Sequence, residues 1–147
     1  MSGGILLAHD LTDQSKEVTA AATDLAGRLG LAVTALHVVP SDDLDKERTS
    51  RPADSAFTDL VLEQLREQLS TMVASQLSNP PDVPFSVKVV EGEPHRAIPE
   101  YVERHRPEFT FIGIRNRSRV GKLVFGSVPQ AILLGSTGKV IAVPIGS

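Results

Sequence analysis

The spacing Gly113-x-x-Asn116-x9-Gly126-Ser127 is suited to holding an anion. Glycines let backbone N–H groups come close to a bound oxygen. Gly126 and Ser127 stand where a helix begins, and the start of a helix favours phosphate. Arg115, Arg117, Arg119 and Lys122 add positive charge around it. A solvated basic loop followed by an ordinary helix cap accounts for the same residues equally well. The stretch Asn116-Arg-Ser-Arg-Val-Gly121-Lys122-Leu123 comes close to a Walker A loop, but Leu123 lacks the hydroxyl that would ligate magnesium. Such a loop also belongs after a first strand, so that reading is rejected.

Asp10 is the second group with chemistry to offer. A carboxylate at the end of a first strand can accept a hydrogen bond from an amino group or a ribose hydroxyl. It can also, with Thr12, cap the following helix. Both roles stay open. His9, His37, His95 and His105 show no zinc spacing, and they read as structural or surface histidines. There is no cysteine, no nucleophile elbow and no carboxylate pair placed on one surface, so no catalytic residue and no metal ligand can be named.

The elements that must position these groups alternate along the chain. Apolar runs at 4–9, 31–39, 85–90, 109–114 and 139–145 read as buried strands. Val18, Ala22, Leu25 and Leu29 mark a helix ended by Gly30. Residues 41–56 carry charges of mixed sign and read as a mobile surface loop. Leu62, Leu65, Leu69, Met72 and Val73 mark a long helix stopped at 79–82. Pro94 opens a helix with Ile98, Tyr101, Val102 and His105 inward, closed by Pro107. Ser127 is the expected N-cap of a last helix running to about Leu134, with Pro129 in its first turn. Alternation of this kind gives a parallel sheet with helices on both faces. Ligands bind such sheets beyond the carboxyl ends of the strands, where the strand order reverses.

Composition narrows the function. The chain has 147 residues, enough for one domain with a sizeable core. A net charge of −3 and only five Phe and one Tyr argue against nucleic-acid binding. No apolar run approaches the roughly 20 residues needed to span a bilayer. The opening MSGGILLAHD has no basic n-region, so the expected setting is cytoplasmic.

The chain resembles the universal stress protein family over nearly its whole length. The resemblance is carried by ILLAHDLT, LHVV, EGEPHRAI, FIGIRNRSRVGKLVFGSVPQAIL and VIAVP. It implies that residues 1–147 form a single domain. The expected fold is a three-layer α/β/α sandwich of the adenine nucleotide alpha hydrolase-like type, with a five-stranded parallel sheet in the order 3-2-1-4-5. Family members that bind ATP carry G-x-x-G-x9-G-[S/T] after strand four; here Asn116 stands at the second glycine. By position, the resemblance places Asp10 against adenine or ribose and Val38 against the base. It places Gly113, Asn116, Gly126, Ser127 and Val128 around the ribose and phosphates, with Arg115 beside them. The implied ligand is ATP or AMP, with magnesium accompanying ATP. The resemblance also implies a homodimer through the C-terminal strand, Val140 to Ile145. Three functions compete: a nucleotide-binding stress regulator with an unidentified protein partner, a nucleotide-independent dimeric module with a vestigial pocket, and a slow ATPase.

Overall fold

A computed structural model describes residues 3–48, 55–77, 83–115, 126–136 and 138–145. Five strands form one sheet: β1 (Ile5–Ala8), β2 (Val33–Val39), β3 (Phe85–Glu91), β4 (Phe109–Arg115) and β5 (Lys139–Ile145). Their order is β3-β2-β1-β4-β5, and every pairing is parallel, as expected. Among the described residues five α-helices and a short 3-10 turn at Asp13–Ser15 connect them: α1 (Lys16–Leu29), α2 (Ser41–Arg48), α3 (Ser55–Gln76), α4 (Pro94–His105) and α5 (Ser127–Gly135).

The register gives all five strands a common parity. Ile5 pairs with Val33 and with Phe109, Val33 with Phe85, and Phe109 with Lys139. Side chains alternate along a strand. Odd-numbered residues such as Leu7, Ala35, Val87 and Phe111 therefore share one face, packed with Val18, Ala22 and Ala26 of α1 and Leu69 and Val73 of α3. Even-numbered Leu6, Leu36, Val38 and Ile112 share the other, packed with Ile98 and Val102 of α4 and Ile132 of α5. The sheet is thus the middle of three layers. Its central strand, β1, contributes Ile5, Leu6 and Leu7, all almost fully buried.

Three expectations need correction. Residues 41–56 are not all loop: α2 runs through Ser41–Arg48, and α3 already begins at Ser55. Asp42 and Asp43 sit in the first turn of α2, where the helix dipole favours carboxylates, and buried Leu44 anchors it. Leu29 is 51% exposed, because α1 presents Val18, Thr19, Ala22, Thr23 and Ala26 to the sheet instead. His105 is exposed and stacks on Tyr101 at a centroid distance of 3.9 Å, so it lies outside the inward face of α4.

The end of α1 and the start of α4 follow the expected chemistry. Gly30 takes the left-handed conformation (φ 68°) that closes α1, and its N–H donates to the Ala26 carbonyl. Pro94 opens α4 at a position where its missing N–H costs nothing. Among the described residues no helix is long and apolar enough to cross a membrane.

Candidate functional site

A cavity of about 420 Å³ opens at the carboxyl ends of β1, β2, β4 and β5. It lies where the sheet order turns back on itself, between β1 and β4. One wall is apolar and comes from the even-numbered face: Leu36, Val38 and Ile112 from the strands, Ile98 from α4, Val128 and Ile132 from α5. The opposite rim is polar and carries His9, Asp10, His37 and Arg115.

The segment leaving β1 is held by its own side chains. The Leu11 amide donates to His9 Nδ1 at 2.9 Å, so that nitrogen carries no proton. The proton sits on Nε2, which donates to Gln76 Oε1 of α3 at 2.8 Å. Gln76 Oε1 also accepts from the Thr19 hydroxyl at 3.0 Å, and Gln76 Nε2 donates to the Thr12 carbonyl at 3.2 Å. One side chain from α3 therefore clamps β1, α1 and the connection between them. The connection bends sharply enough to hold Leu11 at φ 62°, a left-handed conformation that a branched apolar residue rarely adopts.

The same bend sets Asp10. Its Oδ1 accepts from the Thr12 amide at 3.1 Å, from the Thr12 hydroxyl at 2.7 Å and from the Ser15 hydroxyl. Its Oδ2 faces Arg115 Nη2 at 3.4 Å. Burial raises the Asp10 pKa, but the hydrogen bonds from Ser15 and Thr12, with the nearby His9, outweigh it and hold the carboxyl below its usual range. Burial pushes the His9 imidazole down; the Gln76 hydrogen bond and the Asp10 charge partly oppose this, and His37 adds to it.

These directions fix the sign of an acid response. The unfolded chain protonates His9 near 6.5 while the folded chain resists, so stability should begin to fall as pH drops below that value. Asp10 stabilises the fold above 3.8 and loses that contribution as pH falls further. Thermal unfolding at about pH 7.5 and about pH 5.5 should show the first loss. His9→Asn keeps an acceptor for the Leu11 amide and cannot protonate, and it should flatten the slope. An unchanged slope would assign the acid response to other groups.

The structure brings most of the sequence-designated residues together. Asp10, Val38, Gly113, Arg115, Gly126 and Val128 all line the cavity. Ser127 is the exposed first residue of α5, and Gly126 rather than Ser127 is the N-cap. The Gly126 backbone is extended (φ −71°, ψ 177°), and its carbonyl accepts from the Gln130 amide at 3.1 Å. Pro129 lies in the first turn without an N–H, which removes one donor a bound anion could have used. Asn116 lies outside the described residues, as do Arg117, Arg119 and Lys122.

Gly113 has a packing reason to be glycine. A Cβ there would lie 2.7 Å from Ile145 Cδ1 and 3.3 Å from both its γ-carbons. The residues that sequence reasoning missed are His9 and His37. His9 follows directly on β1 and His37 lies two residues before the end of β2, both toward the ligand-binding edge of the sheet, and that placement was the available signal. Among the described residues no three His, Asp or Glu side chains converge to hold a metal ion.

Comparison with known proteins agrees with this architecture. The model of the universal stress protein family matches residues 1–144. The stress response protein NhaX of Bacillus subtilis is 26% identical over 152 residues, covering 87% of this chain and 89% of that protein. A universal stress protein from Archaeoglobus fulgidus shares the fold with a TM-score of 0.66 at 20% identity, covering 99% of each chain. The universal stress protein from Archaeoglobus fulgidus solved in complex with dAMP has a TM-score of 0.60 at 15% identity, covering 99% of this chain and 98% of that one.

Proposed function

The chain belongs to the universal stress protein family, and on that premise we propose that its cavity binds an adenine nucleotide, ATP or AMP, and that the protein is a nucleotide-responsive regulator in a stress response. The observation that carries this reading is the shape and division of the cavity. Its volume of about 420 Å³ lies within the range of small-molecule sites. The apolar slot between Val38, Ile98 and Val128 suits a flat base. Arg115 and the start of α5 at Gly126 and Ser127 offer positive charge and amide donors to a phosphate at the other end. A related universal stress protein was solved in complex with dAMP, an adenine nucleotide. In this reading Asp10 faces the ribose, and magnesium accompanies ATP, held mainly by phosphate oxygens and water. Asp10 and His9 are both engaged by neighbouring donors and acceptors, so hydrolysis of ATP is expected to be slow at most.

Calorimetric titration of the purified protein with ATP and with AMP should give saturable heat in the micromolar-to-millimolar range. Mass spectrometry of the denatured protein should release an adenine nucleotide. Absence of heat from either ligand, with the protein folded, would overturn the reading. It would leave the nucleotide-independent module, which two observations favour: Asp10 Oδ1 is taken by Thr12 and Ser15 while Oδ2 faces Arg115, and the space beside Gly113 is filled by Ile145.

The same reading includes a homodimer through β5, a regulatory protein partner and a cytoplasmic setting. β5 is an edge of the sheet, and Val140, Ile141 and Val143 are only partly covered within one chain. An apolar edge of this kind invites a second strand. Pro144 lacks an N–H, so the shared ladder must skip that position. Sedimentation at micromolar concentration should report a particle of two chains; a single-chain particle would refute the pairing.

A further inference from the structure

We infer that His37 reads the edge of the bound base, accepting a hydrogen bond from an amino group of the ligand. The inference rests on the adenine-nucleotide reading above and deepens it.

His37 Nδ1 lies 2.9 Å from the His9 carbonyl oxygen. A carbonyl can only accept, so Nδ1 must carry the proton. In the neutral ring the proton is then absent from Nε2, which presents a bare lone pair on the far side of the imidazole. His37 lines the cavity and is half-buried. Among the described residues the His9 carbonyl is its hydrogen-bond partner, and none meets Nε2.

Two other acceptors on the polar rim, His9 Nδ1 and Asp10 Oδ1, are committed. His9 Nδ1 receives the Leu11 amide. Asp10 Oδ1 receives Thr12 and Ser15, and Asp10 Oδ2 faces Arg115. Arg115 itself can only donate. His37 Nε2 and the part-exposed Asp10 Oδ2 are therefore the acceptors of this rim open to a ligand; with Asp10 facing the ribose, His37 is the one left for the base. His37 lines a cavity whose other wall is apolar: the side chains of Leu36, Val38 and Ile112 cannot supply a proton. Once a ligand displaces the solvent there, that lone pair is costly unless a donor arrives with the ligand.

The edge that meets His37 must then carry N–H rather than a carbonyl. The amino group of adenine satisfies this. A base lacking it leaves Nε2 unpaired, and a carbonyl in its place sets two lone pairs against each other. Sites built to hydrogen-bond one substrate group reject analogues without it more strongly than apolar sites reject a change of size.

The test compares AMP with purine riboside 5′-monophosphate, which lacks the amino group. The unsubstituted protein should bind AMP about tenfold more tightly. In His37→Leu the two affinities should converge to within about twofold. His37→Gln, which retains an acceptor, should keep part of the preference. Nitrogen NMR of the unsubstituted protein should show the His37 Nε2 resonance moving when AMP is added and not when the analogue is added. That readout does not depend on any variant folding. Equal affinity for the two nucleotides in the unsubstituted protein would overturn this inference alone, and so would a preference that persists in folded His37→Leu. No binding of either nucleotide would defeat the adenine reading and this inference with it.

Discussion

Gln76→Leu is expected to destabilise the protein by about 2–4 kcal/mol, because it strands several buried polar groups at once. Leucine fills similar space but offers neither an acceptor nor a donor. His9, 3% exposed, would lose the partner of its Nε2–H, and Thr19, 0% exposed, would lose its acceptor. The Thr12 carbonyl would lose its donor as well. Leaving a buried group unpaired costs more than a made hydrogen bond contributes. Gln76→Glu should fall between the two, since its carboxylate can serve His9 and Thr19 but faces the Thr12 carbonyl with a second acceptor. Chemical denaturation of the three proteins measures the effect. A Gln76→Leu protein within about 0.5 kcal/mol of the parent would show that the clamp contributes little.

Gly113→Ala is expected to cost about 1–3 kcal/mol through overpacking. The added Cβ would meet Ile145, whose side chain is buried and packed in the core cluster. Ile145→Val removes the δ-carbon that stands 2.7 Å away, so the double variant should recover much of the loss. The two contact, so their effects should not add, and a double-mutant cycle reads the coupling directly. Full stability of Gly113→Ala would mean that Ile145 yields easily. The glycine would then have to be explained by a ligand coming close to the backbone.

Strand placement was legible because buried parallel strands are short apolar runs bounded by Gly and Pro, and all five occur where those runs occur. The start of β2 was less clear. Leu31 continues the apolar run, yet its amide donates to Ala26 and belongs to the end of α1. The face of α1 was misread for a related reason. Thr19 and Thr23 look polar in sequence, but the Thr23 hydroxyl donates to the Thr19 carbonyl at 2.9 Å and Thr19 donates to Gln76. Hydroxyls satisfied in this way can be buried, and the helix turns Leu29 outward. The chemistry of α2 is almost wholly polar; only Leu44 marks its inner side, and a single leucine does not make a period. Within the candidate site, Asp10, Val38, Gly113 and Val128 were identified by position. The His37 tautomer depends on the His9 carbonyl 28 residues away, and the partner of His9 Nε2, Gln76, sits 67 residues away; no local pattern contains either.

The shared parity of the five strands limits how this protein can vary in length. The cavity takes its apolar wall from even-numbered strand positions and much of its polar rim from odd-numbered ones. Insertion or deletion of one residue within β1 would exchange the two sets beyond that point. Leu6 and Ala8 would swap faces with Leu7 and His9, and a histidine would be driven toward the helices that now meet Leu36 and Val38. A two-residue change would restore the faces but displace Asp10 along the strand direction by roughly 6–7 Å, out of reach of Ser15 and Arg115. Length variation in relatives of this chain should therefore fall in the connections and spare β1, β2 and β4.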